Sequence, residues 1–199
     1  IGEKRAAETL LRNHNFKLDL IPSTPNLSGA EIELIEISSR DRLLRERMAP
    51  LRDRYDYILV DCPPSLGLLT LNGLIAAEDG IIIPVQAEYL ALEGLGQLTR
   101  TLDRIRGGLF PELAIRGVLL TMYDTRTNLA ADVRVEVQKF FPTKVFESYI
   151  PRNVRLAEAP SFGMPISFYA PKSPGAQAYQ ELAQEILIGD GVHIEPDQE

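Results

Sequence analysis

Cysteine is nearly absent from the 199 residues: Cys62 stands alone. This excludes an intramolecular disulfide framework and any cysteine-clustered metal or iron–sulfur site within one chain. Long apolar runs are missing too. No stretch approaches the roughly 18 residues that span a bilayer, and no basic segment followed by an apolar signal core opens the sequence. A cytoplasmic location is therefore expected, with no membrane among the partners. Histidine is scarce, and His14 and His193 lack a ligand partner at metal spacing, so both are expected at the surface. Basic residues are outnumbered, 21 Lys and Arg against 28 Asp and Glu, giving a formal charge of −7 that argues against a globally basic nucleic-acid binder. The deficit is uneven. Between Thr121 and Lys172, seven basic residues face five acidic ones, a modest basic region that permits local contact with phosphate.

What is present is ordinary for a globular α/β chain: 45% hydrophobic and 25% charged residues, enough to bury a real core. A helical pattern over Glu3–Leu11 precedes an alternating strand, Phe16–Ile21. Helices are predicted from the Ser28 cap to about Ile37 and from about Arg42 to Arg54. Tyr57–Asp61 and Gly80–Val85 read as strands buried on both faces, separated by a mostly apolar helix over Leu66–Ala77. Leu90, Leu92, Leu95, Leu98, Leu102 and Ile105 recur at helical spacing until Gly107-Gly108 stops them. A strand over Leu113–Met122, a helix over Asn128–Phe141, a short strand at Lys144–Phe146 and a helix over Ser173–Leu187 complete the pattern. Strands alternating with helices of this length predict right-handed crossovers and a doubly wound, mostly parallel sheet. One domain is expected over residues 1–188, followed by a flexible acidic tail, 189–199.

Asp61 is the leading candidate for chemistry. It ends an apolar run at the point where open α/β sheets place their ligands, and Pro63-Pro64 forces the chain out of the sheet directly after it. An acid there can hold a metal-bound water beside a nucleotide phosphate. The structural alternative is an aspartate that caps the following helix.

Several segments, in order, are similar to the ParA-type partitioning ATPases of the deviant phosphate-loop class. They are Asp19–Ser23, Tyr55–Ser65, Pro84–Tyr89 with Glu93-Gly94, Leu119–Asp124, Pro151–Gly163 and Ala176–Tyr179. Each is weak alone; their order and spacing are specific. The resemblance implies a phosphate-loop nucleotidase fold, ATP and Mg2+ as cofactors, and Asp61 near the magnesium ion through water, with Pro63 in a segment that senses the γ-phosphate. It also implies that Met122 offers a polarizable face to adenine and Asn153 an amide to the base edge, with Pro151 and Arg152 walling the same pocket. Arg126 and Arg155, expected on exposed segments outside helix interiors, match positions that contact DNA phosphates without reading sequence. The implied partners are a second copy of the chain when ATP is bound, nonspecific double-stranded DNA and a ParB-type centromere-binding protein. The implied location is the nucleoid.

One family element is missing. No Gly-Lys-Thr or Gly-Lys-Ser occurs, hence no phosphate-cradling loop. With Ile1 in place of methionine, the expectation is an amino-terminally truncated ATPase, inactive by itself, whose central sheet lacks a strand and exposes apolar edges. Two alternatives are a MinD-type cell-division ATPase, which the acidic, Gly- and Pro-broken carboxyl end disfavours, and a non-catalytic DNA or protein interaction module.

Overall fold

The computed structural model describes residues 6–193, with residues 90–93 described in backbone alone. The first part of the expected Glu3–Leu11 helix, the end of the acidic tail and the side chains of Leu90 and Leu92 therefore lie outside the described residues. Packing divides the chain into two compact units, Ile1–Gly80 with Phe110–Ala114, and Ile81–Leu109 with Ile115–Glu199.

In the first unit, β1 (Leu11–Asn13) and β2 (Leu18–Leu20) form an antiparallel hairpin. Leu11 is thus a strand residue, where the sequence pattern predicts helix; pairing with Leu20 overrides a weak local propensity. A 3-10 turn over Pro25–Gly29 leads into α1 (Ala30–Glu33). α2 (Leu43–Met48) gives way to a 3-10 helix, Ala49–Arg54, at Pro50, whose ring and missing N–H disrupt the single helix expected over Arg42–Arg54. α3 (Leu68–Ala76) is locked to the start of α2 by buried Asn72. Its amide donates to the carbonyls of Arg40 and Leu68 at 2.8 and 2.9 Å, and its oxygen accepts from Leu44 N at 3.1 Å.

The strand predicted over Tyr57–Asp61 does not form. Among the described residues the sheets are β1-β2 and a second sheet of the other unit, and neither includes this run. A strand persists only where a neighbour completes its ladder. Without one the run is not buried on both faces: Leu59 is 87% exposed, and Ile58 and Val60 lie partly in solvent.

In the second unit, β3 (Ile81–Gln86), β4 (Ile115–Tyr123) and β5 (Val145–Pro151) make a parallel sheet in the order β3-β4-β5, as the alternation of strands and helices requires. Pro84 withholds a ladder donor, which suits the position of β3 at one end of the described sheet. β4 is central, and Val118, Leu119 and Leu120 are buried in succession, the mark of a strand covered on both faces. Gly117 belongs there because a Cβ would strike the ring of Phe146.

α4 (Tyr89–Gly108) buries Leu95, Leu102 and Ile105, and it packs on α5 (Asn128–Phe140), which buries Ala130, Val133 and Val137. α6 (Val154–Glu158) and α7 (Ile166–Tyr169) are short. α8 (Pro174–Gly189), capped by Ser173 through Ala176 N at 3.2 Å, lays Ala178 and Leu182 against Leu119 and Ile150. No described helix is long and apolar enough to cross a membrane.

α8 also closes the outer edge of β5. Glu185 accepts hydrogen bonds from the amides of Glu147 and Ser148 at 2.8 and 2.9 Å. Burial pushes its carboxyl pKa up, but the bonds from Ser148 and Glu147 outweigh that and hold it below the usual glutamate range. Glu185→Ala should leave two strand amides without an acceptor and cost about 2 kcal/mol, read as a shift in the urea midpoint. Because the folded pKa is lowered, this stabilisation is complete above the ordinary glutamate value of about 4.3 and disappears as pH falls through the folded value. The wild type and the variant should therefore converge in strong acid.

Candidate nucleotide and phosphate sites

β4 ends on Thr121, Met122 and Tyr123, and both sides of that end are tied: Ala87 N donates to the Thr121 carbonyl at 2.8 Å and Arg152 N to the Tyr123 carbonyl at 3.2 Å. Between these ties the register with β5 slips. Met122 sits in the left-handed region, φ 53°, with its side chain exposed. A non-glycine residue held there costs roughly 1–2 kcal/mol, and such strain concentrates at ligand-contacting positions.

Tyr123 follows Met122 as the last residue of β4. Its ring packs on Tyr149 of β5, centroids 4.4 Å apart. The two tyrosines, with Asp124, Arg126, Pro151 and Arg152, line part of an open cleft of about 700 Å3.

The loop after β4 is organised by Asp124. Its carbonyl accepts from Thr127 N and Oγ1 at 3.1 and 3.0 Å, and Thr127 then caps α5. Its carboxylate takes three bonds from Arg126: Oδ1 accepts from the backbone N at 3.0 Å and from Nε at 2.9 Å, and Oδ2 from Nη2 at 2.7 Å. The guanidinium beside Asp124 and its amide hold the carboxyl at about 2. The Arg126 side chain is nevertheless 85% exposed.

At the end of β5, Pro151 is the last strand residue, and the chain leaves the sheet at Arg152. Arg152 reaches Glu88 at 2.6 Å. Asn153 caps α6, its Oδ1 accepting from Arg155 N at 2.8 Å. That oxygen is committed to the helix start, and the amide nitrogen is the group left to meet a ligand. Arg155 lies in the first turn of α6, inside a short helix where the sequence reading placed it outside one. Its Nη1 bonds Glu158 at 2.9 Å, and Glu158 also accepts from Tyr169 Oη at 3.1 Å.

The second unit thus gathers Arg126, Pro151 and Arg152 on one cleft, while Met122, Asn153 and Arg155 are not part of its lining. Sequence reading missed the acidic partners Asp124, Glu158 and Glu88. For the first two the i+2 and i+3 spacings to Arg126 and from Arg155 were available signals; for Glu88 and Arg152 there was none.

Asp61 belongs to the first unit and is exposed. It does not cap α3. The N-cap is Gly67, with no side-chain cap bond, so the structural alternative fails. No hydrogen bond or ion pair engages its carboxylate among the described residues. The segment after it is fastened instead: buried Thr70 Oγ1 donates to the carbonyls of Pro63 and Ser65 at 3.3 and 2.5 Å. Cys62 is half-buried, and burial pushes its thiol pKa up, which leaves it poorly nucleophilic. No group of three or more His, Cys, Asp or Glu side chains could hold a metal among the described residues. One exposed carboxylate fits magnesium that keeps its waters and takes other ligands from phosphate.

A family model described as an AAA domain matches residues 1–115. The chromosome partitioning protein ParA of Myxococcus xanthus is 53% identical over 173 residues, 87% of this chain and 61% of the relative. The sporulation initiation inhibitor protein Soj of Bacillus subtilis is 54% identical over 169 residues, 85% of this chain and 66% of that protein. The chain thus spans less than two thirds of the length of either relative. Among solved structures, the cobyrinic acid a,c-diamide synthase of Mycobacterium smegmatis with bound ATP analog and magnesium superposes with a TM-score of 0.79 at 35% identity, over 96% of this chain and 70% of that one.

Proposed function

Because the chain belongs to the ParA/Soj family of chromosome-partitioning ATPases, we propose that its full-length protein is an ATP-dependent DNA-partitioning switch. ATP with magnesium brings two copies together, the pair coats DNA without regard to sequence, and a ParB-type partner stimulates hydrolysis and release. A nucleoid-associated location follows from that cycle.

The observation that carries this reading is the set of exposed arginines in the second unit, Arg126 and Arg155, each on the surface and each held by a single acid. Two such arginines per chain bind DNA weakly, whereas a nucleotide-linked pair presents four, and multivalency makes retention conditional on ATP. Magnesium, when bound, supplies charge for the phosphates. Asp61 orients one of its waters by accepting a hydrogen bond, and Pro63, in a segment pinned by Thr70, transmits the presence of the γ-phosphate. Met122 presents its thioether to the adenine face, and Asn153 donates its amide N–H to an acceptor on the base edge, with Pro151 and Arg152 completing the wall.

The sequence contains no Gly-Lys-Thr or Gly-Lys-Ser phosphate-loop motif. ATP turnover is accordingly a property proposed for the full-length protein. The test is whether full-length protein retains nonspecific duplex DNA with ATP and releases it with ADP.

A further inference from the structure

All three arginines at the ends of β4 and β5 carry an acidic partner, but the partners are not equivalent. Glu88 and Glu158 each meet their arginine through one terminal guanidinium nitrogen. Asp124 instead grips Arg126 along the Nε and Nη2 edge and also takes its backbone N–H, while its own carbonyl secures Thr127 at the start of α5. One residue therefore fixes the backbone, the side-chain direction and the helix that follows. The edge of the guanidinium formed by Nη1 and Nη2 is left facing water, and a guanidinium edge matches phosphate oxygens bidentately.

We infer that Asp124 is a positioning residue for Arg126, holding its outer guanidinium edge ready for a nucleic-acid phosphate. The inference rests on the proposed DNA contact of Arg126 and adds the group that prepares it.

Two effects of the acid oppose each other. Asp124 repels an incoming phosphate. Across water that repulsion is weak, and salt reduces it further. Against this, an untethered arginine gives up its rotamer freedom when DNA orders it. Asp124 has imposed that order before DNA arrives, so positioning outweighs repulsion. The sign of the effect then separates the inference from simple masking, in which the acid only competes with phosphate.

The experiment is a salt titration of binding to a short duplex of arbitrary sequence, using full-length protein with ATP and magnesium. Asp124→Ala should weaken binding about fivefold although it removes a negative charge, and should flatten the salt dependence. Asp124→Asn retains an acceptor for the Arg126 amide and should fall between Ala and wild type. In an Arg126→Ala background the Asp124 substitutions should no longer weaken binding. A role confined to holding the loop would move stability without this coupling or the change in salt slope. If either Asp124 variant binds DNA as tightly as wild type or tighter, while Arg126→Ala weakens it, the positioning role is overturned and the DNA contact stands. If Arg126→Ala leaves binding unchanged, the DNA contact falls, and the positioning role with it.

Discussion

Replacing Arg126 and Arg155 together by alanine is expected to reduce retention on nonspecific DNA by roughly a thousandfold while ATP binding persists. A pair of chains loses four guanidinium contacts. At about 1 kcal/mol each they sum to about 4 kcal/mol, and 1.4 kcal/mol is tenfold in affinity. The salt dependence reports the same loss independently, since removing four phosphate contacts should reduce the log–log slope by about 3.6. Both side chains are exposed and paired with surface acids, pairs that contribute little to folding. The variant should therefore fold normally. DNA affinity and salt slope that match wild type would remove both arginines from the account.

The second large effect is expected at Asp61. Asp61→Asn keeps the shape and removes the charge, and should lower the maximal rate of ATP hydrolysis in the full-length protein by about 10- to 100-fold, the usual range for groups that act on a metal through its outer shell. Because such a group acts mostly on charge that develops during the reaction, KM for ATP should change much less than kcat. The thermal midpoint serves as the control. Asp61 neither caps α3 nor enters a hydrogen bond among the described residues, so little stability depends on it. A variant that hydrolyses ATP at the wild-type rate would exclude Asp61 from the chemistry. A loss of activity explained by unfolding would exclude the reasoning that placed it there.

The contrast between two similar runs shows how far local pattern reaches. Gly80–Val85 and Tyr57–Asp61 both read as strands buried on both faces. The first pairs with β4 as Ile81–Gln86 and is a strand, although it is not covered on both faces, since Ile83 and Val85 are buried while Pro84 is exposed; the second has no described ladder to join, and Leu59 stands in water. Apolar pattern reports that a strand would be stable if flanked, while the flanking depends on residues elsewhere. Helix ends carried clearer local signals. Thr127 and Ser173 cap α5 and α8 through their own side chains, and Pro50 ends α2 within two residues.

The site was legible in part. Candidate arginines and the acid could be named from the sequence, but the left-handed backbone at Met122 could not, because methionine has no preference for it and only the ties on both sides of β4 hold it there. Glu185 reaches β5 across 37 and 38 residues, a distance at which no spacing rule applies. The spacing of Asp124 and Arg126 was a signal for the pair but not for its bidentate form, since geometry decides which edge of a guanidinium a carboxylate takes.

The most direct measurement is retention of full-length protein on a nonspecific duplex at fixed salt, with ATP and then with ADP, magnesium being present throughout. The account predicts tight, sequence-independent retention with ATP and release with ADP. Equal retention with both nucleotides, or none with either, would contradict it.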